Sequence, residues 1–130
     1  MRKVFIAISV LMLTSGALVI EAARHTDTVR VQVHKEKRFP RSKMSVRFIE
    51  LMEDSRCPVD VNCVWAGNAK IKVRISKNRH SEVVTLETNG SDKSVNFEGH
   101  TIRLVELTPK PRSNVRIDRN GYIATLEVSH

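Results

Sequence analysis

Recognisable catalytic signatures are missing from this chain, and their absence narrows the chemistry before anything else does. There is no Gly-x-Ser-x-Gly elbow, no His-Glu-x-x-His pair, no glycine-rich phosphate loop and no calcium-loop pattern. Carboxylate pairs suited to acid and base work are not evident either. Asp54 and Asp60 lie close in sequence, but each reads more simply as a turn former beside the cysteines. The residues therefore argue against an enzyme. Aromatic residues are few, with one Trp, one Tyr and four Phe. Stacking on nucleic-acid bases needs exposed rings, so nucleic acid is not an expected partner. The five histidines are scattered singly, and the two cysteines are not spaced as a Cys-x-x-Cys dithiol, so neither a zinc site nor a redox pair is indicated. No cofactor is expected, and there is no internal repeat or low-complexity tract.

What is present begins with "MRKVFIAISVLMLTSGALVIEAARH": two positive charges, an apolar stretch from Val4, then small residues. This is a secretory signal layout, with cleavage expected after Ala22 or Ala23 and Ala17 as another option. The apolar run is short for spanning a bilayer and Glu21 follows it directly, so no membrane-spanning anchor is expected after cleavage. The reading is thus a signal peptide over residues 1 to 23 and a single secreted domain over residues 24 to 130. Removing Arg2, Lys3 and Glu21 lowers the net charge of +8 by only one, so the mature chain stays basic.

Period-two alternation dominates the rest. In "NAKIKVRIS", Ala69, Ile71, Val73 and Ile75 fall on one face, and Lys70, Lys72 and Arg74 on the other. Similar strands are expected in "TVRVQVH", "EVVTLET" and "YIATLEVS". In "SVRFIELME" and "TIRLVELT" the apolar parity slips midway, which implies a bulge or two covered faces. Turn-rich segments separate these runs, and Asn120-Gly121 is the best hairpin-turn candidate. About seven strands without an amphipathic helix predict an all-β fold, a small antiparallel β-sandwich or small barrel. "KEKRFPRSK", Lys35 to Lys43, reads as an exposed loop or short edge strand.

One block stands apart, "DSRCPVDVNCVWAG". In an oxidising compartment Cys57 and Cys63 are expected to form a disulfide. Closing so small a ring contributes about 2 to 2.5 kcal/mol in the chain-entropy model. Trp65 has two readings: a ring that covers the disulfide and caps the core, which is favoured, or an exposed platform for a sugar or a cation.

"DSRCP" with "CVWAGNA", a later "LVELTPKP" and a final "GYIATLEV" resemble a family of small secreted or lipid-anchored bacterial proteins with a DSRCPxDVxCVWAGxA-type block. The resemblance spans roughly residues 29 to 129. It implies a compact β-rich domain exported across a bacterial inner membrane, and no particular activity. This chain lacks the lipid-attachment cysteine of some relatives. It also carries Lys110 between Pro109 and Pro111, where the resemblance leads one to expect an aromatic.

The basic excess gathers on the Lys70, Lys72 and Arg74 strand face and around Arg38 and Arg41. The two readings are a solvated face and a surface that attracts an anionic envelope component or an acidic partner protein. The functional expectation is an exported, non-catalytic module that binds such a partner, with Asp60, Trp65, Lys70, Lys72, Arg74, Arg38 and Arg41 as candidate contacts. The alternatives are an inhibitor of an exogenous hydrolase that presents the Cys57–Cys63 loop, and a weak metal-binding periplasmic protein using dispersed histidines with Met44 or Met52.

Overall fold

The computed structural model describes residues 16–17 and 25–130. The expected signal segment, residues 1 to 23, therefore lies almost wholly outside the described residues. Among the described residues eight strands form: β1 (Asp27–Gln32), β2 (Glu36–Arg38), β3 (Ser45–Asp54), β4 (Ala69–Lys77), β5 (His80–Glu87), β6 (Ser94–Phe97), β7 (His100–Thr108) and β8 (Ile123–Ser129). They make two antiparallel four-stranded sheets, ordered β1-β8-β7-β6 and β2-β3-β4-β5. The fold is an open sandwich, which rules out the barrel alternative. Six of the strands are the alternating runs read from the sequence; the other two, β2 and β6, are short edge segments whose length leaves little periodicity to read.

The alternation sets which side chains meet between the sheets. Val31, Val46, Phe48, Ile71, Val73, Ile75, Leu86, Ile102, Leu104, Ala124 and Leu126 are buried together. Each large aliphatic or aromatic side chain taken from water there stabilises the fold by about 1.5 to 3 kcal/mol. The parity slips resolve as bulges. In β3 the register shifts between Phe48 and Glu50 and again between Leu51 and Glu53, so Leu51 faces Ile71 while Glu50 and Glu53 face lysines. In β7 a shift between Leu104 and Glu106 leaves Val105 exposed and turns Leu107 inward. One extra residue reverses the parity, which the alternation alone could not distinguish from two covered faces.

The segment from Lys35 to Lys43 supplies edge strand β2, yet Phe39 within it is fully buried. Asn120-Gly121 does not form a hairpin turn. It lies in a short 3-10 turn, Arg119–Gly121, capped by the Asp118 side chain, at the end of the long connection from β7 to β8. Here Asp118 accepts from Asn120 N, so the local side chain satisfies the backbone without the left-handed conformation that a tight hairpin needs.

Candidate functional site

The sandwich has two chemically different ends. At one end the β3–β4 hairpin runs past its strands, with Ser55 N donating to Asn68 O at 2.6 Å and Cys57 N to Ala66 O at 3.1 Å. The tip is then closed by the Cys57–Cys63 disulfide, with a Cα–Cα distance of 6.0 Å. Gly67 is required where the chain returns: its φ is +67°, and a Cβ there would overlap the Ser55 carbonyl oxygen. The disulfide points to an oxidising environment. Among the described residues no helix is long and apolar enough to cross a membrane.

Trp65 corrects the favoured expectation. It does not cap the core; it is 78% exposed, beside Val64 at 92%. The core has another closure. Arg56 makes a two-pronged contact with Asp54, Nε to Oδ1 and Nη2 to Oδ2, each 2.8 Å. It also donates to Leu107 O at 2.6 Å and Pro109 O at 3.0 Å, while Tyr122 Oη donates to Asp54 Oδ2 at 2.9 Å. This clasp joins β3, the ends of β7 and the start of β8. These groups occupy that end of the core, and the indole lies outside it. Burial alone would push the Asp54 carboxyl up, but the hydrogen bonds from Arg56 and Tyr122 and the Arg56 charge outweigh it and hold the group below its ordinary value. Burial, and then the bond to Asp54, push the Tyr122 hydroxyl up to about 12. Asp54 is therefore more than a turn former, and Arg56 and Tyr122 are residues that sequence reasoning passed over. The signal available for Arg56 was its place between an acid and a cysteine in "DSRCP".

Asp60 is likewise more than a local turn former. Its Oδ2 accepts from Ser113 Oγ at 2.6 Å and its Oδ1 from Ser113 N at 2.9 Å, and these bonds lower its carboxyl below the ordinary value. Val59 N donates to Pro111 O at 3.0 Å. The disulfide loop is thus fastened to the β7–β8 connection from the other sheet. A shallow hollow of about 350 Å³ between them is lined by Arg56, Cys57, Val59, Ala66, Lys110 and Pro111, among others. The side chains this arrangement leaves exposed are Val59, Val61, Val64 and Trp65, with Val115 in the neighbouring connection.

The basic candidates do not form one site. Lys70 lies 3.4 Å from Glu87 and 3.9 Å from Glu53, and Lys72 donates to Glu50 at 2.7 Å, lowering that carboxyl. Their charges are largely matched on the sheet's outer face. Arg74 stands opposite Arg47, and Arg38 opposite Ser45 in the next row, so these two candidates share a corner with an arginine that was not singled out. Arg41 is directed elsewhere: its backbone N donates to buried Asp27 at 2.9 Å, and its Nη1 lies 3.2 Å from His25 Nδ1. Charge in the sequence did not show which lysines the neighbouring strands would neutralise.

The far end of the sandwich gathers three of the histidines. His80 contacts Glu98 through Nδ1 and Glu82 through Nε2 at 3.3 Å, and the Glu98 bond foremost raises its pKa. His100 is buried beside His130, with ring centroids 4.0 Å apart, and Lys77 Nζ is 3.0 Å from its Nε2. Burial, then His130 and Lys77, push its pKa down. Among the described residues no group of three His, Cys, Asp or Glu is arranged to hold a metal ion. Met44 is fully buried, and Met52 accepts from Thr85 Oγ1 at 3.6 Å, so neither joins this cluster.

Comparison with protein-family models, with curated proteins and with solved structures finds no match for this chain.

Proposed function

We propose that this protein is an exported, non-catalytic β-sandwich module that binds an envelope component or partner protein through the end carrying the Cys57–Cys63 loop. The observation that supports it most is the exposure of Val61, Val64 and Trp65 on a loop held outward by a disulfide and by the Asp60–Ser113 bonds. Small proteins rarely leave a tryptophan and adjacent aliphatics in water without use for them. A loop fixed in its displayed form also loses less conformational freedom on binding. The oxidising environment that the disulfide favours fits export, and the signal-like first 23 residues are the route by which it would occur.

The test is capture from the native envelope by immobilised protein at low and high salt. Trp65→Ala with Val64→Ser is expected to abolish capture while leaving thermal unfolding unchanged. Undiminished capture by that variant would remove the loop from the binding role. The same fixed loop also supports the second reading, insertion into the cleft of an exogenous hydrolase. That reading predicts inhibition of a purified target, lost with the same substitutions.

A further inference from the structure

The exposed apolar residues are concentrated. Val59, Val61, Val64 and Trp65 lie within seven residues of one another, and Val115 belongs to the connection that Asp60 holds through Ser113. Lys110 and Arg112 flank the same loop: Lys110 lines the hollow beside Cys57, and the Arg112 charge acts on Asp60. The one carboxylate of the tip, Asp60, is already occupied by two Ser113 donors. The end therefore presents an apolar, indole-bearing prominence with basic residues at its side.

We infer that this end of the sandwich is a peripheral anchor for an anionic lipid surface, with Val64 and Trp65 entering the headgroup boundary and Lys110 and Arg112 contacting the headgroups. The inference rests on the reading that this end is the binding end, and it names the partner. Three physical points favour lipid over a shaped protein cleft. The large exposed side chains of the tip are valines and one indole, with Asn62 as the one free amide and Asp60 engaged by Ser113, so it offers mostly apolar area and little directional hydrogen bonding. Tryptophan is enriched at membrane interfaces because its ring is apolar and its N–H is polar. Basic residues beside an apolar face supply the attraction to anionic lipid that apolar contact alone lacks. The disulfide closes the tip, and its aliphatic side chains stand exposed there.

Trp65 is the only tryptophan, so its emission reads the loop and no other apolar stretch of the chain. The purified exported chain, residues 24 to 130, is titrated with vesicles of phosphatidylcholine alone and of phosphatidylcholine with phosphatidylglycerol in equal parts, with emission and co-sedimentation recorded. The expected result is a blue shift and binding on the anionic vesicles only. Lys110→Ala and Arg112→Ala should each weaken partitioning about fivefold, as expected for one basic residue at an anionic surface. Val64→Ser should weaken both the shift and the binding, and Trp65→Ala, read by sedimentation, should lower binding by on the order of tenfold. No shift with the anionic vesicles, an equal shift with both kinds, or undiminished sedimentation of the Trp65→Ala chain would overturn the inference. If vesicles fail while Trp65→Ala still loses envelope capture, the loop remains the binding element and its partner is a protein. If both fail, the binding end itself is wrong.

Discussion

Asp54 is the residue on which the loop end depends. It accepts from Arg56 and Tyr122, and the Arg56 and Asp54 side chains are only 13% and 11% exposed. Removing the carboxylate leaves a guanidinium poorly solvated and a tyrosine hydroxyl without its acceptor. Asp54→Ala is expected to destabilise the fold by about 2 to 3 kcal/mol, somewhat less than a fully buried pair because water still reaches both groups. Tyr122→Phe removes one hydrogen bond and should cost about 1 to 2 kcal/mol. Urea unfolding of the two variants checks the order, and an Asp54→Ala chain as stable as the parent would contradict the clasp. The pH dependence follows from the directions. Asp54 titrates lower in the fold than in the unfolded chain, so its contribution is present above its ordinary value of 3.8 and is lost as pH falls through its depressed folded value.

At the scale of an element, the β3–β4 hairpin shows how a strand pair becomes a display. Its ladder continues irregularly to Cys57 and Ala66, and only the turn back at Gly67 demands a residue with no side chain. Gly67→Ala places a Cβ against the Ser55 carbonyl in a left-handed conformation, and is expected to destabilise by about 1 to 3 kcal/mol. The substitution should also speed proteolysis between Ser55 and Asn68 without altering the spectrum of the sheets. Limited proteolysis with circular dichroism measures both, and unchanged cleavage would show that the return strand tolerates a side chain. The bulges of β3 belong to the same element. They bring Glu50 and Glu53 onto the outer face opposite Lys72 and Lys70, converting a basic stripe into a matched charge lattice.

Across the whole molecule, the two ends respond to pH in different ranges because one holds a carboxylate and the other holds histidines. At the histidine end, His80 lies against Glu82 and Glu98 and stacks on Phe97, while His100 faces Lys77 and His130. The raised His80 contributes stability that is present below its ordinary value of 6.5 and is lost as pH rises through its folded value. The depressed His100 contributes above 6.5, and that contribution is lost as pH falls through its folded value. In the native chain the two slopes oppose each other near neutrality. His80→Gln should therefore make stability fall more steeply between pH 7 and pH 5, and His100→Gln should flatten or reverse that slope relative to the parent. Urea midpoints across this range decide it; identical slopes in all three chains would mean that neither histidine is linked to folding.

The strands were legible because burial on one face imposes a period of two, and Ile71, Val73 and Ile75 are buried as that period requires. The bulges were legible only as alternatives, since a parity slip has two physical causes. The disulfide could be read from two cysteines whose short spacing closes one ring. Trp65 could not be placed, because whether an aromatic finds room inside depends on what else fills the space, and Arg56 and Tyr122 close that end through contacts with residues more than fifty positions away. The same holds for Asp60, whose partner Ser113 is on the other sheet's connection. By itself the sequence determined the strand pattern, the faces and the covalent ring, all of which depend on near neighbours. The tertiary structure decided which charges are matched, which carboxylates are occupied and which apolar side chains are left in water, because those depend on contacts between segments far apart in the chain.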